Sequence, residues 1–550
     1  MFYIIPMLTI YSKLLCCSKH FNSKFNKKFF YLKYYLNYKM KISSNIDKQT
    51  PFVASLLLTG ANLFSKPLAF IREILFAYSF GITHITDFFF FAFNLSNSLI
   101  WSILKTYSGS FMPVFLDIKS KDNDSATEFL ANSFLWIIIQ SIVLFVSTSF
   151  IIFLWQCHDK LISTNLALSI ILLSVSYATL AGIGQFLTVI CQSYYQFFYP
   201  VLFAFLFNIF TVGALLFFTK SFGINAFIFS QVIWAILQII GLWIWIKKRI
   251  KKNIFKKLKL FNINQKRLLN LLLPTLIGTN LWPIHLFIAT TAASWLASGA
   301  ISAVNYSARF EYGTAGLVIF SIMSALFPTM ISFASENKIN EFKRTFSNGM
   351  NAIIYLMSPI VFSTIFFSYI IISITYRHGA FNNSAALITS QFLSYHILML
   401  YTIGITGMSY QAFIALKKPW ESFWSILAGI IFNIIFCALF VKPYGIFIVA
   451  LGSIIGTLIS SIWQLYILDK KGLFSLNRFL TKILIRGFIA FLCCLFFYCI
   501  SHFLHLRGYF EIAYPLSSIA FYFILSFILK WEESKYFYNK VFKLTKKFTY

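Results

Sequence analysis

Charge is thin in this sequence, and acidic charge thinnest. Of 550 residues, 46 are Lys or Arg, only 16 are Asp or Glu, and charged residues make up 11% in all. Soluble domains carry roughly a quarter charged residues, so an ordinary soluble fold is excluded. Signatures of catalysis are missing as well. There is no G-x-S-x-G or P-loop, no acidic pair has metal-ligand spacing, and His158, His285 and His396 stand isolated in the chain. No metal, cofactor or enzymatic activity is therefore expected. The eight cysteines include the adjacent pairs Cys16–Cys17 and Cys493–Cys494, and most of the others fall in apolar runs. They read as small hydrophobes, not as ligands. No compact apolar core with a small-residue cleavage site opens the chain, which speaks against a signal peptide.

What the sequence has is hydrophobicity: 59% of residues are hydrophobic and the mean hydropathy is +0.76. Apolar runs of about 20 residues, each long enough to cross a bilayer as a helix, recur about fourteen times between residues 52 and 531. An all-α polytopic membrane protein follows. The net charge of +30 sits between these runs, with Lys247, Lys248, Arg249, Lys251, Lys252, Lys256, Lys257 and Lys259 in a single connection. Clusters so placed set topology or touch anionic lipid heads, and no nucleic-acid motif accompanies them. Alternate connections are basic, apart from the uncharged "QSYYQFFYP", while on the opposite side "GITHIT" and "ASGA" have no Lys or Arg and "YRHGAFN" has only Arg377. Both termini are thus expected in the cytoplasm. Residues 1–50 form a basic extension, of which 1–39 read as dispensable because Met40 offers a second start. Residues 532–550 form a basic cytoplasmic tail.

Internal similarity organises the spans. "SFMPVFLDIKSKDNDSATEF" and "ALFPTMISFASENKINEF" share a Pro and a Ser in step, Pro113 with Pro328 and Ser120 with Ser335, 215 positions apart in both cases. The stretches fall in spans two and eight. An even separation implies parallel repeats related by an axis along the membrane normal, with a site between them near the midplane. The expected domains are a six-helix lobe at 51–247, a basic loop at 248–267, a second six-helix lobe at 268–468, and two additional helices at 479–531.

The few charges inside spans are the functional candidates, since a charge at the bilayer centre costs at least about 2.5–3.5 kcal/mol and should face a cavity or a partner. Span one carries Lys66, Pro67, Arg72 and Glu73. Pro67 cannot donate to the carbonyl four residues back and is a candidate hinge near Leu63. Arg72 either lines a cavity or pairs with Glu73. In span eight Arg309 either binds phosphate, for which its forked guanidinium is suited, or pairs with Glu311. Asp87 opens span two, where a carboxylate can also serve as a cap. Lys105 lies near mid-span two and can instead snorkel.

These residues carry a resemblance. "ANLFSKPLAFIREILFAYSFGITHITDFFFFAFNLSN", "SFMPVFLDIKSK", "ASGAISAVNYSARFEYGTAGLVIFSIMSALFPTMISFAS" and "YRHGAFN" resemble, in order and spacing, the MurJ (MviN) family of bacterial lipid II flippases. That family lies within the multidrug/oligosaccharidyl-lipid/polysaccharide exporter superfamily. The resemblance runs from about Phe52 to the end. It implies fourteen helices, two six-helix lobes around a cationic cavity, and a final helix pair forming a lipid-tail groove. It further implies an inner-membrane protein that moves undecaprenyl-diphosphate-linked peptidoglycan precursor, lipid II, from the cytoplasmic to the periplasmic leaflet by alternating access. Lys66, Arg72, Asp87 and Arg309 match charged positions of the family, with Lys66 in place of an arginine. Lys105 and Glu311 complete the expected substrate-binding set. The family's twin arginines in span two fall near Leu99, Ile100 and Trp101, so both charges are absent here. Two alternatives stay open: an exporter of another lipid-linked oligosaccharide or of drugs, and a membrane enzyme acting on polyprenyl-linked sugars.

The alternation of basic connections makes a testable demand. Cysteines introduced near Lys257 and Lys546 are expected to react with an impermeant thiol reagent only from the cytoplasm, and one near Thr83 only from outside. Labelling near Lys257 from outside would overturn the topology.

Overall fold

The computed structural model describes residues 51–159, 162–194, 196–249, 263–504 and 508–534. The basic extension, the centre of the basic loop and the end of the tail lie outside the described residues. The rest is helical. In order come α1 (Pro51–Phe80), α2 (His84–Ser96), a π-helical turn (Asn97–Trp101), α3 (Ser102–Lys121), α4 (Asn123–Asp159), α5 (Thr164–Ser193), α6 (Phe198–Phe222) and α7 (Ile224–Arg249). The second half has α8 (Ile263–Thr279), α9 (Leu281–Ala293), α10 (Ala300–Leu317), α11 (Ile319–Ser335), α12 (Ile339–Tyr376), α13 (Asn383–His396), α14 (Met399–Ala415), α15 (Pro419–Tyr444) and α16 (Ile446–Lys470). It ends with α17 (Leu476–Leu504), a short 3-10 turn (Gly508–Ile512) and α18 (Ala513–Ile528).

Among the described residues, eleven helices are long and apolar enough to cross a membrane, or twelve if α13 and α14, bent by 45°, count as one span. The other two expected spans correspond to α1, which carries the charges around Pro67, and to α8–α9, interrupted at Asn280. Spans two and eight match in form. His84–Lys119 and Ala300–Ser335 are both 36 residues long. Each is irregular midway, at the π turn in one and at Val318 in the other, and each carries its proline in the second half.

In the first half α1 packs on α6, α5 on α7, and α3 on α4 and α5. In the second, α16 packs on α13, α14 and α15, and α12 on α13, α14, α17 and α18. Lipid tails are as apolar as Leu, so helices in a membrane associate by close packing and hydrogen bonding. Both devices are visible. Gly452, Gly456 and Ser460 recur every fourth residue along α16, and a Cβ on Gly429 of α15 would meet the Gly456 carbonyl oxygen at 2.1 Å. At the same contact Gln464 donates to the Ser422 and Ser425 hydroxyls at 2.8 and 3.0 Å. Aromatic packing supports the first half, where Phe88, Phe89, Phe90 and Phe91 are all buried and Phe76 meets Phe89, Phe90 and Phe227 at centroid distances of 5.3, 5.6 and 4.9 Å.

The halves are tied at several levels, by Arg267 on Asp117 at 2.6 Å, Asn280 on Thr106 at 2.9 Å and Asn94 on Asn305 at 2.6 Å, and by a group of bonds around Asp87. Asp87 accepts from the Gly299 and Ser302 amides at 2.5 and 2.8 Å and from the Ser302 hydroxyl at 2.5 Å. It thereby caps α10 rather than its own helix, which Thr83 and Thr86 cap reciprocally. Gly299 holds φ +94, and a Cβ there would meet Ile82 at 2.6 Å. Asp87 and Ser302 are 215 residues apart, the same offset that relates the two prolines. Positions exchanged by a two-fold axis touch only near that axis. The Tyr306 hydroxyl donates to the Gly81 carbonyl at 2.9 Å, and the Ala380 amide donates to the Tyr78 carbonyl at 2.9 Å.

Removing the Asp87 carboxylate leaves two helix-terminal amides without their acceptor, at about 1–3 kcal/mol per orphaned group. Asp87→Ala is expected to lower the melting temperature of the detergent-solubilised protein, and Asp87→Asn, which keeps one oxygen, to lower it less. Melting of both variants at the wild-type temperature would contradict the capping role.

Candidate functional site

Helices α1 and α10 run antiparallel, linked by side chains at three levels. Farthest from the Asp87 cap, the Lys66 ammonium reaches the Gly316 carbonyl at 3.3 Å. Nearest to it stands the Tyr306–Gly81 bond. Between them lies an ionic cluster. Glu73 Oε1 pairs with the Arg72 guanidinium at 2.7 Å and with that of Arg309 at 3.6 Å. Arg72 and Glu73 are nearly buried, whereas the Arg309 side chain is 31% exposed.

Two guanidinium groups share one carboxylate, so a positive excess remains. The second face of Arg72 is fixed by α6, where Asn208 Oδ1 accepts from Nη1 at 3.2 Å and the Phe207 ring lies 5.4 Å from the guanidinium carbon. Phe207 stacks on Tyr177, which stacks on Phe93. Arg72 is thus set against an aromatic wall, its orientation held by Glu73 and Asn208, while Arg309 keeps donors free to turn toward a ligand. Such a pair is suited to a compact polyanion, which guanidinium groups bind through paired, charge-assisted hydrogen bonds.

The remaining expected site residues are distributed differently. Lys66 is exposed on the same strip between α1 and α10. Helix α1 is continuous through Pro67, and Asn208 also donates to the Ser65 carbonyl at 3.3 Å, on the turn before it. Lys105 is not in the cluster. Its ammonium lies 4.6 Å from the Trp101 ring centroid, one turn beyond the π turn. Asp87 faces the amides of α10. Glu311 does not pair with Arg309; it is fully buried and its Oε2 lies 2.7 Å from Nδ1 of His396 on α13. Asp87 and Glu311 therefore serve the framework around α10, while Arg72, Arg309 and Lys66 gather between α1 and α10.

Glu73, Asn208 and His396 were outside the expected set. Glu73 adjoins Arg72 in sequence, and its span-one location is itself a signal. Nothing in sequence separates Asn208 from other polar residues of apolar helices. His396 is not isolated, and neither is His285, which contacts Asn433 at 3.1 Å.

A family model described as "Lipid II flippase MurJ" matches residues 76–517. A "Probable lipid II flippase MurJ" of Buchnera aphidicola subsp. Schizaphis graminum is 28% identical over 469 residues, covering 80% of this chain and 88% of that protein. The "Lipid II flippase MurJ" of Burkholderia cenocepacia is 22% identical, covering 65% of this chain and 71% of its own length. A solved structure titled "Lipid II flippase MurJ, inward closed conformation" superposes with a TM-score of 0.71 at 23% identity, covering 86% of this chain and 98% of that one. An inward-facing MATE-family multidrug transporter of the MOP superfamily gives 0.61 at 11% identity, covering 74% and 95%. A family match spanning most of a polytopic helical chain decides the assignment: the protein is a multi-span membrane protein that belongs to the MurJ lipid II flippase family.

Proposed function

We propose that the protein translocates lipid II, the undecaprenyl-diphosphate-linked peptidoglycan precursor, from the cytoplasmic to the periplasmic leaflet of a bacterial inner membrane. Family membership supports the reaction, and one observation carries the mechanism: Arg72 and Arg309 come from opposite halves of the chain yet share Glu73. A ligand that recruits both guanidinium groups bridges the halves, so its binding is coupled to their relative position. A diphosphate carries about two negative charges and is costly to strip of water unless cationic donors replace that water.

In this reading the halves are two six-helix lobes, 51–247 and 268–468, enclosing a central cavity, and the ties at Asp87, Gly81 and Ala380 close its periplasmic end. Lipid II enters from the cytoplasmic side once the ties there, Arg267 with Asp117 and Gln265 with Ser133, part. Its diphosphate meets Arg309 first, since that side chain is the more exposed, with Lys66 providing a further donor. Loss of the Arg309–Glu73 contact to the diphosphate weakens a link between the lobes, and Pro67 lets α1 bend as they rock. Lys105 supplies one charge near the position of the absent twin arginines. The two last helices, within 479–531, guide the lipid tail, and both termini are cytoplasmic. A drug exporter of cations fits less well, because the strip between α1 and α10 carries a positive excess.

Each charge-assisted hydrogen bond contributes roughly 1.5–3 kcal/mol, about ten- to a hundredfold in a rate that depends on it. Arg72→Ala and Arg309→Ala are each expected to reduce translocation by roughly that factor while expression and insertion persist. Arg309→Lys is also expected to be impaired, since a point charge cannot reproduce the fork, and Lys66→Arg to be tolerated. The measurement is complementation of a flippase-depleted bacterium, with accessibility of lipid II at the outer face as the readout. Wild-type translocation by both alanine variants would make the arginines structural. Failure of the well-inserted wild-type chain would reject lipid II as substrate.

A further inference from the structure

A second cationic feature lies apart from the Arg72–Arg309 cluster. At the N-terminal ends of α12 and α17 there is a cavity of about 340 Å³, lined among others by Lys343, Arg344, Arg478, Lys482 and Glu532. Four cations face one carboxylate. Lys482 pairs with Glu532 at 3.3 Å, whereas Lys343, Arg344 and Arg478 form no ion pair among the described residues. The cavity opens beside the N-terminal turns of α12, which begins at Ile339, and α17, which begins at Leu476. These two helices, of 38 and 29 residues, direct their positive dipole ends to the same place, which favours an anion there. Phe474 and Phe479 add an apolar wall, and Asn348 and Asn351 add polar groups.

Its surroundings identify the kind of anion. Along α17, directly after the cavity, Leu480, Leu484, Ile485 and Phe488 are 45%, 71%, 50% and 62% exposed. A free phosphate has no use for such a surface, but an acyl chain does. Basic pockets between membrane helices on a positively charged face are suited to anionic lipid heads. We infer that this cavity binds the phosphate-bearing headgroup of an anionic glycerophospholipid from the leaflet that the basic loops face, with its acyl chains lying along α17. The lipid joins α12 to α17 near their N-terminal ends, and about three turns further in the buried Arg486 contacts Glu533 and donates to the Asn351 carbonyl at 3.3 Å. The headgroup site is separate from the Arg72–Arg309 cluster, no residue of which lines it, although α17 also belongs to the helix pair proposed for the lipid II tail.

The test uses the purified full chain in detergent, with radiolabelled phosphatidylglycerol, phosphatidylcholine and inorganic phosphate as probes. The protein is expected to retain phosphatidylglycerol in preference to phosphatidylcholine, with little displacement by inorganic phosphate. The exposed positions of Arg344 and Arg478 allow the double variant Arg344→Gln/Arg478→Gln to fold with an unchanged melting temperature. It is expected to lose phosphatidylglycerol affinity by roughly tenfold or more. Arg72→Ala is expected to keep that affinity, whether or not the translocation reading holds. Equal retention of both lipids, full retention by the double variant, loss in Arg72→Ala, or displacement by inorganic phosphate at comparable concentration would each overturn the proposal.

Discussion

One carboxylate between two guanidinium groups holds the centre of this protein. Glu73 on α1 contacts Arg72 beside it and Arg309 across on α10. Far from water, an unpaired charge is costly and a paired one is cheaper but still desolvated. Three charges with one sign in excess cannot be neutral, so the arrangement remains receptive to another anion. Much of the neighbouring structure serves to keep this group in place. Asn208 and Phe207 orient Arg72, while the Asp87 cap fixes the start of the helix that carries Arg309. Glu311 and His396 brace the same helix from its other face.

The remaining architecture follows from how helices associate in lipid. Without a hydrophobic gain between them, contact depends on shape and on hydrogen bonds that lipid cannot offer. Small residues bring α15 and α16 together. Hydroxyl pairs such as Thr402 with Thr457 at 2.6 Å and Thr406 with Ser461 at 2.7 Å then join α14 to α16. Between α1 and α10, by contrast, the links are long side chains: Lys66, the Arg309–Glu73 pair, and Tyr306 near the capped end. Elsewhere the halves pack helix on helix, α3 on α8 and α2 on α9, so the strip between α1 and α10 is the part of the boundary that side chains bridge.

The candidate site was legible in part. Charged residues are so rare in the spans that Lys66, Arg72, Asp87, Lys105, Arg309 and Glu311 could be singled out by hydropathy alone. What each one does could not. Local spacing made Arg72–Glu73 and Arg309–Glu311 plausible pairs; the first forms, yet Arg309 pairs with Glu73 and Lys66 reaches a carbonyl. Helical periodicity reports which residues share a face of one helix; it carries no information about which helix that face meets. His396 illustrates the same limit, isolated in sequence and hydrogen-bonded in the fold.

By itself the sequence determined the membrane setting, the number and order of spans to within a broken helix or two, and the offset of 215 residues that recurs in the Asp87–Ser302 contact. These properties depend on composition and on repetition along the chain, and both are one-dimensional. Only the tertiary structure decided that Asp87 caps α10, that Glu311 turns to α13, that Asn208 holds Arg72, and that four cations from α12 and α17 line one cavity. Each of these rests on partners far apart in the chain, brought together only when helices pack, and the cost of a lone charge in lipid makes the choice of partner decisive.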